Sequence, residues 1–307
     1  MTDLRTRITA SRAIVLVLAL AALVGFFAVL SPDFLSWDNL VIISGSCATN
    51  LILGVGMTLV IIAGGIDLSV GRLIALTLVV LVVVSNATGS FAAGLVAGLA
   101  AGLGAGLANG ALSVRFRIPS FIVTLGTMLM ARGLAMVAAG GHTVGSDFTS
   151  PLWLQQFGPI ALSLAVLLAG QVLLARTVFG RHVFAVGSSA ETARLCGVRV
   201  GRVQVLTFLA SGLCAGLAGL VYWLRNGDGN PLAGDGLELY AIAAVIVGGT
   251  SLSGGRGSVV GTFLGALIMG VLEFGLRFNM VPNQWQWIII GSVVIVTVLV
   301  DRLKSPD

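Results

Sequence analysis

Between Val203 and Leu224 the chain runs without one charged side chain, and apolar stretches of this kind recur from end to end. A helix needs about 20 mostly apolar residues to cross the hydrocarbon core of a bilayer. About ten such stretches are legible, roughly 13–30, 40–63, 68–85, 91–112, 118–139, 157–175, 203–224, 237–251, 257–277 and 284–301. Only 9% of the 307 residues are charged, where a soluble domain of this length carries about 25% to face water. The sequence therefore reads as an all-α, polytopic integral membrane protein, and a soluble enzyme, a secreted disulfide scaffold and a disordered chain are excluded. The eighth stretch is short and the third begins directly after the second, so both are candidates for broken or re-entrant helices. Between eight and eleven crossings fit the pattern.

Basic residues mark the side that stays in the cytoplasm. With the N-terminus inside, all of the 17 Lys and Arg except Arg132, Arg225 and Arg277 fall on inner segments, Arg72 among them. The outer loops carry Asp33, Asp38, Asp147, Asp228, Asp235 and Glu238 instead. This asymmetry predicts an even number of spans with both termini cytoplasmic. The first stretch follows Arg5, Arg7 and Arg12 as a signal peptide would, but its exit Ala28-Val29-Leu30-Ser31-Pro32 lacks a small-x-small cleavage site, which favours a retained anchor helix.

Cys47, Cys196 and Cys214 form no CxxC pair and read as buried small hydrophobes. His142 and His182 are too far apart in sequence to build a metal cluster with them. Lys304 is the one lysine and stands in Leu303-Lys304-Ser305, not in a phosphate-binding Gly-Lys-Ser/Thr turn, so the chain is no P-loop ATPase. For the same reason Leu252-Ser253-Gly254-Gly255-Arg256, which mimics the signature of ABC ATPases, is a decoy.

The 42 glycines are patterned. Gly94, Gly98, Gly102, Gly106 and Gly110 recur every four residues, Gly257, Gly261 and Gly265 repeat the spacing, and Gly212 and Gly216 begin another row. Such rows place small residues on one helix face and let a neighbouring backbone approach closely. A second pattern is an internal repeat: Gly64-Gly65-Ile66-Asp67-Leu68-Ser69-Val70-Gly71-Arg72 aligns with Gly248-Gly249-Thr250-Ser251-Leu252-Ser253-Gly254-Gly255-Arg256. Each copy lies between apolar runs and predicts a helix stop and restart, with Asp67 or Ser251 capping the helix that follows.

These residues carry a family resemblance. Gly64 to Gly71 resembles the hallmark of the permease subunits of ribose-type ABC sugar importers, and Gly248 to Gly255, following Tyr240 to Val247, resembles a second one. Phe121-Ile122-Val123-Thr124-Leu125-Gly126-Thr127, with Arg132-Gly133 beyond it, and Gly180 to Gly187 are also similar, so the resemblance runs from about residue 40 almost to the end. It implies a single transmembrane permease domain over 1–307 and a multi-pass protein of the bacterial inner membrane. It implies as partners a second permease subunit (identical or related), a cytoplasmic ABC ATPase, a periplasmic sugar-binding protein and membrane lipid, with no nucleic acid. No cofactor would belong to this chain, and ATP and Mg would be held by the ATPase. The cargo class would be a monosaccharide, a pentose such as ribose or a hexose. Branched-chain amino-acid permeases share the architecture and an autonomous secondary transporter or channel is the other class, but the Gly-Gly-Ile-Asp-Leu-Ser-Val-Gly form favours the sugar branch.

The family's coupling segment resembles Gly187, Ser188, Ser189, Ala190, Glu191, Thr192, Ala193, Arg194, Leu195, Cys196, Gly197 and Val198, with departures at Ser189, Thr192, Cys196 and Val198. The residues lead to the same place by themselves. The loop 176–202 holds Arg176, Arg181, Arg194, Arg199 and Arg202; Ser188 or Ser189 suits a helix cap, Glu191 the positive helix start, and Gly197 the stop. Leu195 and Val198 would offer an apolar contact. Polar residues inside spans are the default candidates for function. Arg132 and Glu273 stand out, as lining of a water-filled path or as structural pairs, and Asn50, Asn109, Thr124 and Thr127 either meet a sugar or join helices. Outside, Asp228, Asn230, Asp235 and Glu238 belong to a polar, turn-rich stretch that either docks the binding protein or is simply solvated.

Overall fold

In the computed structural model, residues 2–304 are described, with side chains described for 13–299. Twelve α-helices follow one another among these residues. They are α1 Thr2–Leu30, α2 Trp37–Ile62, α3 Val70–Thr88, α4 Phe91–Phe116, α5 Ser120–Ala138, α6 Leu152–Arg176, α7 Val178–Ser188, α8 Ala190–Leu195, α9 Val200–Asn226, α10 Leu237–Val247, α11 Val259–Phe278 and α12 Asn283–Lys304. Two short strands, β1 Val144–Gly145 and β2 Asp228–Gly229, pair antiparallel between the α5–α6 and α9–α10 connections. They define one end of the bundle, and α7 and α8 define the other, since α9 runs from α8 to β2.

Helices α1, α2, α3, α4, α5, α6, α9 and α11 are long and apolar enough to cross a membrane. The eleven residues of α10 span only about 16 Å at 1.5 Å per residue, roughly half of a bilayer core. Helix α2 is apolar around most of its circumference, and a helix of that kind belongs in the interior. It is buried without interruption from Gly45 to Ile62, with α9, α11, α6 and α10 around it. Helix α1 lies at the periphery and is fastened by aromatic rings: Phe27 stacks on Phe34, which meets Phe274 and Phe278.

The glycine rows bring backbones together as their spacing requires. All five glycines of the α4 row are buried. Gly94 and Gly98 lie against α3, whereas Gly102, Gly106 and Gly110 lie against α9 at Gly212, Phe208 and Val205. A side chain at Gly102 would fall on the Gly212 carbonyl, and one at Gly212 on the Gly102 carbonyl. Gly261 and Gly265 meet Gly248 and Ala244 of α10 in the same way, while Gly257 precedes α11 and packs on Thr250.

Candidate functional site: two helix breaks and the cavity beside them

Both repeat copies end a helix with the same hydrogen-bond device, displaced by one residue. At the end of α2, Gly65 N–H donates to the Val60 carbonyl and Gly64 N–H to Ile61, with Gly64 left-handed at φ 84°. At the end of α10, Thr250 N–H donates to Val245 and Gly249 N–H to Ile246, and Gly249 is the left-handed residue at φ 90°. The glycine pair thus serves two needs in turn. One member supplies the positive φ of the cap, and at the second break the other, Gly248, lets Gly261 approach.

The expected caps are corrected. Helix α3 starts at Ser69 without a side-chain cap bond, and Ser258, not Ser251, caps α11 by accepting from Gly261 N–H at 3.3 Å. Asp67 instead holds the break itself. Its Oδ1 accepts from Ser69 N–H at 3.0 Å and from Ser69 Oγ at 2.5 Å, and its Oδ2 accepts from Ser211 Oγ of α9 at 2.8 Å. The chain continues as Asn109 Nδ2 donates to Ser69 Oγ at 3.0 Å and Thr127 Oγ1 donates to Asn109 Oδ1 at 2.6 Å. Ser211 is eleven residues into α9, so Asp67 lies about 16 Å inside the bundle.

Unwound backbone at such depth must find partners, because lipid offers none. Helix α5 provides them: Ser120 Oγ accepts from Ile66 N–H and Thr124 Oγ1 from Leu68 N–H, both at 3.1 Å. Asn109, Thr124 and Thr127 are therefore placed in bonds between helices.

The start of α3 meets the segment before α10. A side chain at Gly71 would strike the Glu238 carboxylate and the Gly234 carbonyl. Arg72 pairs with Asp235 through Nη2, while its Nη1 and Glu238 Oε2 are buried without a partner. Residues 230–236 consequently dip from the β2 end into the bundle, as far as Gly71 and Ile74. The charge pattern assigned Arg72 to the inner side and Asp235 to an outer loop, and this ion pair corrects that separation. Asp228 stays in β2, where burial pushes its carboxyl above the usual range, and Asn230 caps the turn that follows by accepting from Leu232 N–H.

Above these contacts opens a cavity of about 690 Å³, lined by Arg72, Arg132, Asp235, Tyr240, Glu273, Arg277, Asn283, Gln286 and Trp287. Arg132 and Glu273, read from the sequence as intramembrane polar residues, share it. Glu273 Oε1 accepts from Arg277 Nη2 at 2.8 Å and Oε2 from Asn50 Nδ2 at 3.4 Å. A second, strongly polar chamber of about 130 Å³ adjoins it, sharing Tyr222, Leu237, Glu273 and Arg277 with the first. Ser211 and Trp287 carry no local sequence pattern, and Arg72, though it closes the first repeat copy, pairs with an aspartate in a distant segment that the repeat does not indicate.

At the opposite end, Ser189 caps α8, accepting from Thr192 N–H at 3.2 Å, and Gly197 ends the turn at φ 83° with Val198 N–H bonded to the Ala193 carbonyl. Leu195 is 83% exposed, Glu191, Arg194 and Cys196 are also exposed, and only Ala193 of α8 is buried. Cys47 and Cys214 are buried, but Cys196 is not, because it follows a helix that lies on the surface. Just before α8, Gly187 presses on the Ile62 carbonyl, which also accepts from Gly255 N–H at 2.9 Å. The α7–α8 segment thus touches the end of α2 and the loop of the second repeat at one point.

The class of the protein follows from setting this helical bundle, with its two internal breaks and the cavity between its helices, beside known proteins. The chain matches the family described as branched-chain amino acid transport system / permease component over residues 39–298. It is 38% identical over 298 residues to the ribose import permease protein RbsC of Escherichia coli (strain K12), covering 94% of this chain and 93% of that protein. It is 41% identical over 300 residues to RbsC of Bacillus subtilis (strain 168), at 94% and 92% coverage, and 35% identical over 294 residues to the D-allose transport system permease protein AlsC of Escherichia coli (strain K12), at 93% and 90%. No solved structure matches it. The chain belongs to the permease subunits of ribose-type ABC sugar importers.

Proposed function

We propose that this protein carries a monosaccharide of the pentose or hexose class across the bacterial inner membrane, as one of two permease subunits whose motion is driven by ATP hydrolysed in a separate cytoplasmic subunit. The observation that carries this reading is the cavity of about 690 Å³ between the helices, where aromatic, amide and charged side chains converge with apolar wall around a space large enough for a small polar molecule. The curated relatives named for ribose and allose support the sugar branch over the amino-acid branch. The exposed α8, with Glu191, Arg194 and Leu195 outward, serves as the coupling helix against the ATPase, and both termini lie in the cytoplasm with it. Residues 1–307 act as one transmembrane unit, and Asp228 and Asn230 beside β2 are the part of the outer stretch best placed to meet a binding protein.

The test is reconstitution of the chain with an ATPase and a binding protein encoded beside it. Uptake of labelled D-ribose or D-allose that requires ATP, and that is lost in the double variant Glu191→Lys, Arg194→Glu while membrane insertion is kept, is the expected result. Uptake by this chain alone would overturn ATP coupling, and selective uptake of L-leucine would overturn the sugar reading.

A further inference from the structure

We propose that the small chamber beside the large cavity is a hydroxyl-reading subsite, with Asn50 and Glu273 as its acceptors, so that the membrane subunit itself discriminates among polyhydroxylated substrates. The inference rests on the reading that a sugar passes through the large cavity.

The chamber is built differently from the cavity it adjoins. Its wall is made by Ser46, Thr49 and Asn50 of α2, Arg225 of α9, and Glu273 and Arg277 of α11, with almost no apolar surface. Asn50 is 0% exposed, and its Nδ2 is committed to Glu273. Its Oδ1 has no hydrogen-bond partner. A buried amide oxygen left unpaired costs about 1–3 kcal/mol, so an interior position retains one only where something else supplies the bond. At about 130 Å³ the chamber holds several waters. A hydroxyl or hydroxymethyl group entering from the large cavity replaces such waters one for one.

The chemistry on offer suits a hydroxyl in both of its roles. A sugar O–H donates to Asn50 Oδ1 or to the Glu273 carboxylate, and its oxygen accepts from a guanidinium of Arg225 or Arg277. Trp287 and Tyr240 border the large cavity only and offer apolar faces to the ring. An aliphatic side chain entering the same chamber would displace water and leave Asn50 Oδ1 unpaired, which is the arrangement that rejects an analogue lacking the hydroxyl most strongly.

The test uses the purified full chain in detergent, with saturation-transfer NMR of D-ribose, D-allose, 2-deoxy-D-ribose and L-leucine. Ribose and allose should give saturable transfer, 2-deoxy-D-ribose a weaker signal and leucine none. In Asn50→Leu the ribose affinity should fall by about tenfold, the worth of one such hydrogen bond, and the advantage of ribose over its deoxy analogue should shrink towards one. Glu273→Gln and Thr49→Val, which keep side-chain volume, repeat the measurement if Asn50→Leu does not fold. Sugar binding that is equal in the wild type and all three variants would overturn the subsite and leave the proposed function standing. Leucine binding without sugar binding would overturn both, and absence of any sugar signal from the folded wild type would overturn the subsite.

Discussion

Asp67 shows how a single residue can hold a helix break open inside a membrane. Segment 66–69 has no helical ladder to satisfy its N–H groups at Ile66, Leu68 and Ser69, and Ser120, Thr124 and the Asp67 carboxylate accept from them in turn. The same carboxylate joins α9 to the break through Ser211, so one side chain fixes both the local turn and its position. Asp67→Ala leaves Ser69 N–H, Ser69 Oγ and Ser211 Oγ without their acceptor, at about 1–3 kcal/mol for each buried donor not rescued by water. The expected outcome is a marked drop in thermal stability of the detergent-solubilised protein, and Asn109→Ala, one bond further along the chain, should cause a smaller drop. Equal stability of Asp67→Ala and the wild type would show that the network is dispensable.

Helices α4 and α9 illustrate how much a periodic pattern discloses. Four-residue glycine spacing predicted that backbones meet along one face, and the face is there, with Gly102 and Gly212 each filling the room a side chain would need on the other. Gly104 lies in the same helix with nothing within 4 Å of the place where a Cβ would stand. Gly102→Ala should therefore separate α4 from α9 and lower stability, whereas Gly104→Ala should be neutral or stabilising by up to about 1 kcal/mol, the helix-propensity difference. Thermal unfolding of the two variants side by side checks this. The breaks were legible for a similar reason, because a glycine pair between apolar runs is a local signal. The inward dip of residues 230–236 was not, since a polar, turn-rich stretch reads the same whether it faces water or folds back into a bundle. What holds it down is the bond between Arg72 and Asp235, 163 positions apart, and no local period reports a pairing of that range. The polar residues of the spans sorted themselves the same way. Arg132 and Glu273 reach the cavity, while Thr124 and Asn109 are used in bonds between helices.

At the scale of the whole molecule, the proposed coupling role places docking and transmission on different residues. Leu195, Glu191 and Arg194 are exposed on α8. Gly187, a few residues earlier, touches the end of α2 at Ile62 and the second repeat at Gly255, and α2 also carries Asn50 on the cavity side. On the coupling role proposed for α8, a push on it would reach the cavity through Gly187, Ile62 and helix α2, which is unbroken between residues 37 and 62. The two steps should fail independently. Leu195→Asp replaces the exposed apolar side chain of α8 with a charge and should abolish co-purification of the ATPase without altering the stability of the permease. Gly187→Ala places a methyl group on the Ile62 carbonyl and the Gly255 amide, displacing the junction and the bond between them. That variant should still co-purify its ATPase while substrate-stimulated hydrolysis and uptake fall together, by an order of magnitude or about 1.4 kcal/mol of coupling. Wild-type uptake in Gly187→Ala would show that force enters the bundle elsewhere, and loss of ATPase binding in the same variant would show that docking and transmission share one surface.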